Sequence, residues 1–215
     1  MKITKVETVR NREPIPLPEP WLPAWSAPGG THATSFGFSF HRVYTDEGIV
    51  GIGPDTGASP RMLLGVDPFT VGEFWDQHMS GRQPNRSGRR AAGLEIALWD
   101  IVGKAASAPI SKLLGRRRDR IPVYAATSRL LETEQHVRQV TELAALGYKA
   151  VKLRLHRQNP WDDVAVVEAV REAVGDELTL LVDANQNNNS PGYPFWDHQT
   201  AMRVARELDR LRVYF

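Results

Sequence analysis

Two short runs hold the residues best suited to chemistry, Lys152-Leu153-Arg154-Leu155-His156 and Asp183-Ala184-Asn185. Alternate side chains of a β-strand share a face, so Lys152, Arg154 and His156 point one way, and so do Asp183 and Asn185. Each run closes an apolar stretch, Ala150 to Leu155 and Leu178 to Val182, that reads as a strand. Two cations and a histidine would then face a carboxylate and an amide across one pocket. Lysine can be driven toward neutrality and take up a proton, whereas a guanidinium stays protonated and makes a poor base. On spacing alone, Asp183 reads equally as a turn-forming aspartate after a strand and as a ligand for a cation.

The elements that position these runs follow a β/α repeat. After Ile121-Pro122-Val123-Tyr124-Ala125 as a first strand, the pattern predicts helix Glu132 to Leu146 with Gly147 as its stop, then strand Ala150 to Leu155. Helix Pro160 to Val174, Gly175, strand Leu178 to Val182, helix Gln199 to Leu211 and strand Val213 to Phe215 complete it. Strands alternating with helices in this way form a parallel sheet, and chemistry in β/α barrels sits at the carboxyl ends of the strands. Three units and a fourth strand do not close an eight-stranded barrel, so the sequence is expected to be part of a longer enzyme and inactive alone.

The first hundred or so residues look different. Ile3, Val6 and Val9 begin a strand; Phe36 to Tyr44 alternates toward a turn at Asp46-Glu47-Gly48; Ile49 to Gly53 returns as the hairpin partner. Between them Pro14 to Gly30 holds six prolines with Trp21 and Trp25, a composition read as a long loop with exposed tryptophans. Helices are expected at Thr70 to Met79, at Arg89 to Ala106 with Ala92, Ile96, Leu98, Trp99 and Val102 at helical spacing, and at Pro109 to Leu114. Leu94, Leu98 and Trp99 read as core. Gly51-Ile52-Gly53-Pro54-Asp55-Thr56-Gly57 lacks the spacing of a phosphate or dinucleotide loop and reads as a turn. Arg116-Arg117-Arg118 with Arg120 reads as a solvated linker.

Composition narrows the function classes. The absence of cysteine removes disulfides, thiolate nucleophiles and sulfur-ligated metals, so any metal must sit on oxygen or imidazole. A net charge of +2 without a basic stripe gives no support to nucleic-acid binding. No apolar run approaches ~20 residues, which argues against a membrane span, and the polar–apolar alternation from Met1 to Glu7 is unlike a secretory leader. A cytoplasmic protein is therefore expected, and the sequons at Asn85 and Asn188 carry no weight.

The stretch Ala91-Ala92-Gly93-Leu94-Glu95-Ile96-Ala97-Leu98-Trp99-Asp100-Ile101-Val102-Gly103-Lys104-Ala105, followed by Leu113-Leu114-Gly115 and Val123-Tyr124-Ala125, resembles the junction between the capping domain and barrel of the enolase superfamily, in its mandelate racemase and muconate lactonizing enzyme family. The similarity continues through Gly147-Tyr148-Lys149-Ala150-Val151-Lys152-Leu153-Arg154 and Leu181-Val182-Asp183-Ala184-Asn185-Gln186, covering nearly the whole chain in order. The resemblance implies an α+β capping domain over residues 1–115, with a specificity loop at 14–30, followed by the start of a (β/α) barrel of TIM type over 116–215. It also implies Mg²⁺ held by three carboxylates at consecutive strand ends. Asp183 would be the first; the other two are expected just beyond Phe215.

The family's shared step removes the proton beside a substrate carboxylate, giving an enediolate stabilised by the metal. Lys152 aligns with the first lysine of the family's Lys-x-Lys motif, a partner for the substrate carboxylate, and Arg154 replaces the second. These two are the candidate catalytic residues. A racemase needs a base on each face of the carbon, so Arg154 favours elimination of water from a sugar acid. Asn185, His156, Trp21 and Trp25 are the candidate substrate-binding residues. The alternatives are a racemase, epimerase or cycloisomerase of the same superfamily, and a non-catalytic member. The expected partner is a small carboxylate substrate, a sugar acid, and the resemblance suggests a homo-oligomer.

Overall fold

The computed structural model describes residues 1–26, 30–80, 86–186 and 195–215, with only the main chain of 86–89, so both sequon asparagines lie outside the described residues. The chain divides into two compact units, Met1–Pro16 with Ser35–Asp119, and Leu17–Thr34 with Arg120–Phe215.

In the first unit β1 (Ile3–Arg10), β4 (Ser39–Thr45) and β5 (Val50–Pro54) form an antiparallel sheet in the order β1-β4-β5. The hairpin joining β4 to β5 turns at Gly48, whose φ of 81° suits a residue without Cβ. Three helices follow: α1 (Val71–His78), α2 (Arg86–Ala105) and the short α3 (Ile110–Leu113). Ile3, Val43, Leu63, Phe74, Leu94, Leu98 and Ile101 make the core.

The buried face of α2 holds the expected core residues Leu94 and Leu98, with Trp99 packed against them, but not Ile96. Ala91, Leu94, Ala97, Leu98 and Ile101 are buried, whereas Ile96 is 48% exposed. Gly51 and Gly53 lie within β5, as the expected return strand Ile49 to Gly53 has it and not the turn read for 51–57, and let the helix approach in backbone contact. A Cβ on Gly53 would stand 2.0 Å from the Gly93 carbonyl oxygen, and one on Gly93 would stand 1.8 Å from that of Pro54. Small residues rather than the bulkiest ones therefore set the helix's rotation, a preference that hydrophobic periodicity does not report.

The segment read as a long loop contains a strand. β2 (Ile15–Trp21) pairs with β3 (Ala33–Phe36) as a two-stranded ribbon. Its prolines, Pro16, Pro18 and Pro20, occupy alternate positions, so all three missing N–H groups fall on one edge and the other edge keeps its donors. Trp21 and Trp25 are half-buried rather than exposed.

The second unit is a parallel sheet, β6 (Ala125–Ala126), β7 (Ala150–Arg154) and β8 (Thr179–Asp183), in chain order. Its helices are α4 (Thr133–Ala145), α5 (Pro160–Val174) and α6 (His198–Arg210). The first strand is shorter than expected: Ile121 and Val123 are 77% and 70% exposed and outside any strand. The last expected strand does pair, with Tyr214 N–H donating to the Leu180 carbonyl at 2.8 Å and Val182 N–H to that of Phe215 at 2.8 Å.

Val151, Leu153, Leu155 and Leu180 pack against Val140 of α4 and Val164, Val167 and Val170 of α5, so one strand face is consumed by core. Buried Arg171 donates to the carbonyls of Gly175, Leu178, Leu211 and Arg212 at 2.7–3.0 Å, tying together the chain ends of α5 and α6. No helix among the described residues is long and apolar enough to cross a membrane.

Gly93→Ala should destabilise the protein by about 3 kcal/mol in urea unfolding, because the new methyl group meets main chain that cannot turn aside. Gly72→Ala, in α1 with nothing within 4 Å of the added carbon, should instead stabilise it by about 0.5–1 kcal/mol.

Candidate active site

Register brings the two chemical runs together. Across the parallel strands β7 and β8, Arg154 pairs with Asp183 and Lys152 with Leu181, while Lys152 pairs with Ala126 of β6 on its other side. Since Val151 and Leu153 face the helices, Lys152 and Arg154 emerge on the opposite face, and Asp183 joins them there.

Both cations approach the same oxygen. Lys152 Nζ lies 3.5 Å and Arg154 Nε 3.8 Å from Asp183 Oδ2, with side chains 12%, 29% and 34% exposed for Lys152, Arg154 and Asp183. Each cation also sits over an aromatic ring, Lys152 Nζ 5.4 Å from the Tyr124 centroid and the Arg154 guanidinium carbon 4.8 Å from that of Trp25. The rings offer the negative face of their quadrupoles where the cations are partly withdrawn from water. Tyr124 stands two residues before Ala126, Lys152's partner in register, a relation visible only once the strands are paired.

The carboxylate is oriented from behind. Asp183 Oδ1 accepts from the Asn185 main-chain N–H at 3.1 Å. Asn185 adopts φ 52°, a left-handed conformation for which asparagine is enriched, and is 8% exposed. Its Nδ2 donates to the main-chain carbonyls of Leu155 at 2.9 Å and Asp183 at 3.1 Å, so this amide's donors lock the end of β7 to the end of β8. Thr127, 3% exposed, fixes the other side: its Oγ1 accepts from Arg154 N–H at 3.0 Å, and its own N–H donates to the Lys152 carbonyl at 2.9 Å. Tyr124 enters the sequence analysis only within the Val123-Tyr124-Ala125 motif, and neither it nor Thr127 is assigned to the site there, because no local spacing links them to Lys152 and Arg154.

His156 does not join the open face. It is 1% exposed and stands two residues past Arg154, the last residue of β7, where strand alternation no longer governs direction; burial holds its imidazole below the usual histidine range. Trp21 and Trp25 are brought to the strand ends of the second unit. Trp21 Nε1 donates to Ser128 Oγ at 3.3 Å, Ala24 N–H to the Ser128 carbonyl at 2.9 Å, Pro23 bridges Arg129, and Glu19 forms an ion pair with Arg129.

Asp183 offers hard oxygen donors of the kind Mg²⁺ selects, which fits one ligand of such an ion. Among the described residues no group of three acidic or histidine side chains could hold a metal.

The family signatures coincide with this arrangement. The family described as mandelate racemase / muconate lactonizing enzyme, N-terminal domain, matches residues 18–115, and enolase C-terminal domain-like matches residues 135–215 and so includes Lys152, Arg154 and Asp183. The chain belongs to the mandelate racemase and muconate lactonizing enzyme family.

Within that family it is similar to L-talarate/galactarate dehydratase of Salmonella typhimurium, 32% identical over 183 residues, covering 82% of this chain and 43% of that one. It is also similar to 3,6-anhydro-alpha-L-galactonate cycloisomerase of Streptomyces coelicolor, 34% identical over 152 residues, covering 68% of this chain and 40% of that one. Among solved structures, a racemase from Streptomyces coelicolor with bound magnesium superposes with a TM-score of 0.79 at 26% identity, covering 99% of this chain and 61% of that one. The chain thus spans less than two thirds of each protein it matches here. An N-terminal capping domain followed by a partial enolase-type barrel describes its fold.

In this mandelate racemase and muconate lactonizing family chain, a second, buried polar cluster supports the loops that follow β6 and β7. Asp163, 4% exposed, accepts from Arg157 N–H at 2.9 Å and Arg157 Nη1 at 2.7 Å, and Arg157 Nη2 donates to the Leu131 carbonyl. Burial pushes the Asp163 carboxyl up against these hydrogen bonds. His136 is fully buried and its Nε2 accepts from Leu131 N–H at 3.2 Å. Desolvation, with the Arg157 charge adding to it, lowers the His136 imidazole to about 4.

The folded state therefore holds His136 neutral, with a pKa beneath its unfolded value. Its contribution is complete above pH 6.5 and is lost as pH falls from 6.5 toward 4, to a limit of about 3 kcal/mol. Stability measured by urea unfolding should fall across that window, and His136→Gln should flatten the slope.

Proposed function

We propose that the protein is a Mg²⁺-dependent dehydratase of sugar acids. The observation that carries this reading is the convergence of Lys152 Nζ and Arg154 Nε on Asp183 Oδ2 at the ends of neighbouring parallel strands. A lysine and an arginine beside one metal-ligating carboxylate suit a substrate that is itself a carboxylate. Among the relatives, the L-talarate/galactarate dehydratase supports a sugar acid.

In this reading Asp183 is one ligand of the ion, held in aim by the Asn185 N–H on Oδ1. Mg²⁺ held there would supply positive charge to stabilise the electron pair left on removal of the proton beside the carboxylate. Lys152 neutralises the substrate carboxylate. Arg154 orients and neutralises, because a guanidinium is a poor base and does not take up the α-proton. With that face of the carbon lacking a base from β7, proton return from the same side is disfavoured, and loss of a β-hydroxyl is the available outcome. Among the described residues no group of three acidic or histidine side chains includes Asp183, so the reading requires ligands that those residues do not supply. We also propose a homo-oligomeric assembly, on the family resemblance alone.

Screening the full-length protein with aldonic and aldaric acids should reveal a 2-keto-3-deoxy product in the presence of Mg²⁺. Asp183→Asn should lower turnover by roughly 10²–10³-fold, the scale of losing one preorganised electrostatic contact. Racemization or cycloisomerization, read as solvent deuterium entering the α-carbon with no loss of water, would overturn the dehydratase assignment.

A further inference from the structure

The Arg154 head group is held in an unusual way. Its main-chain N–H is fixed by Thr127 Oγ1, yet its buried Nε–H has no hydrogen-bond partner among the described residues, and Asp183 Oδ2 lies 3.8 Å from it, beyond hydrogen-bond reach. A guanidinium in that position is aimed chiefly by what packs against its plane. That surface is Trp25, with the guanidinium carbon 4.8 Å from the ring centroid.

Trp25 is itself anchored. It meets Trp21 edge to face, with centroids 6.2 Å apart, and Trp21 is tethered through Nε1 to Ser128 Oγ. Ala24 N–H binds the Ser128 carbonyl, Pro23 bridges Arg129, and Glu19 pairs with Arg129. Ser128 and Arg129 follow β6 directly, and the same turn carries Thr127, which holds the Arg154 backbone. One turn therefore fixes both the arginine's main chain and the ring on which its head group rests.

We infer that Trp25 is a positioning residue for Arg154: docking of the 17–26 segment on the turn after β6 sets the direction of the guanidinium, and Trp25 acts on a substrate through that arginine. Which ligand Arg154 serves rests on the dehydratase reading; the stack itself does not. The substitution of arginine for the family's second lysine gives the ring a planar cation to stack on, and a planar guanidinium stacks better than an ammonium. Tyr124 beneath Lys152 is the parallel arrangement on the neighbouring cation, so each member of the pair has its own ring.

The test uses the full-length protein with Trp25→Leu, which keeps apolar bulk without a π face, and Trp25→Phe, which keeps a ring. Phenylglyoxal modification of Arg154, followed by peptide mass spectrometry, should be several-fold faster in the leucine variant and near the parent rate in the phenylalanine variant. Arg203, which stacks on Trp161, serves as the internal control and should not change. On an acid the enzyme turns over, Trp25→Leu should lower kcat/KM roughly tenfold, the size of one lost cation–π contact, with recovery in Trp25→Phe. In an Arg154→Met background the same leucine substitution should add no further loss.

Equal modification rates in all three proteins, or an undiminished loss in the Arg154→Met background, would overturn the inference. If no sugar acid is turned over, the dehydratase reading fails while the modification rates still decide the role of Trp25.

Discussion

Arg154 and Asp183 are paired residues on adjacent parallel strands, and their side chains leave the sheet on the same side. That register places a carboxylate within 4 Å of two cations where the opposite strand face is already filled by Val151, Leu153 and Leu180. A shift of one residue would send Lys152 and Arg154 into the helix-facing core and bring Leu153 to the open face. The hydrophobic packing of one face thus fixes the polar chemistry of the other. Asn185 and Thr127, each bonded to main chain across a strand boundary, hold the strand ends against such a slip.

Charge balance in the site follows from the same geometry. Asp183 Oδ2 faces two positive groups, while aromatic rings lie against those groups and add no net charge of their own. The set carries a net positive charge before any metal is counted, which suits anionic ligands. Replacing lysine by arginine at position 154 preserves that sign, changes the shape of the cation from a point to a plane, and removes its capacity to act as a base. The lack of a base at this position and the contact with a ring both follow from one residue type.

In the first unit the governing constraint is steric. Glycine at positions 51, 53 and 93 lets α2 touch β5 backbone to backbone, and the helix turns its small residues toward the sheet and leaves Ile96 outward. Periodicity weighs side chains by hydrophobicity, so it favoured Ile96 and overlooked the glycine contact. The proline-rich segment misled for a related reason. Proline content argues against a central strand, but alternation at positions 16, 18 and 20 spares one edge, and pairing on one edge is all that a two-stranded ribbon requires.

The sequence by itself determined the order of strands and helices in the second unit, the helix stops at Gly147 and Gly175, and the alternation that sets Lys152 and Arg154 on one face. These are local properties, governed by periodicity and turn chemistry within a few residues. It also carried the family through motifs whose spacing survives without coordinates. Only the tertiary structure decided that Trp25 lies against Arg154, that Tyr124 lies beneath Lys152, that Thr127 fixes the arginine backbone, and that His156 is buried instead of lining the open face. Those contacts join residues far apart in the chain, and their existence depends on the register and docking of whole elements, which no local pattern encodes.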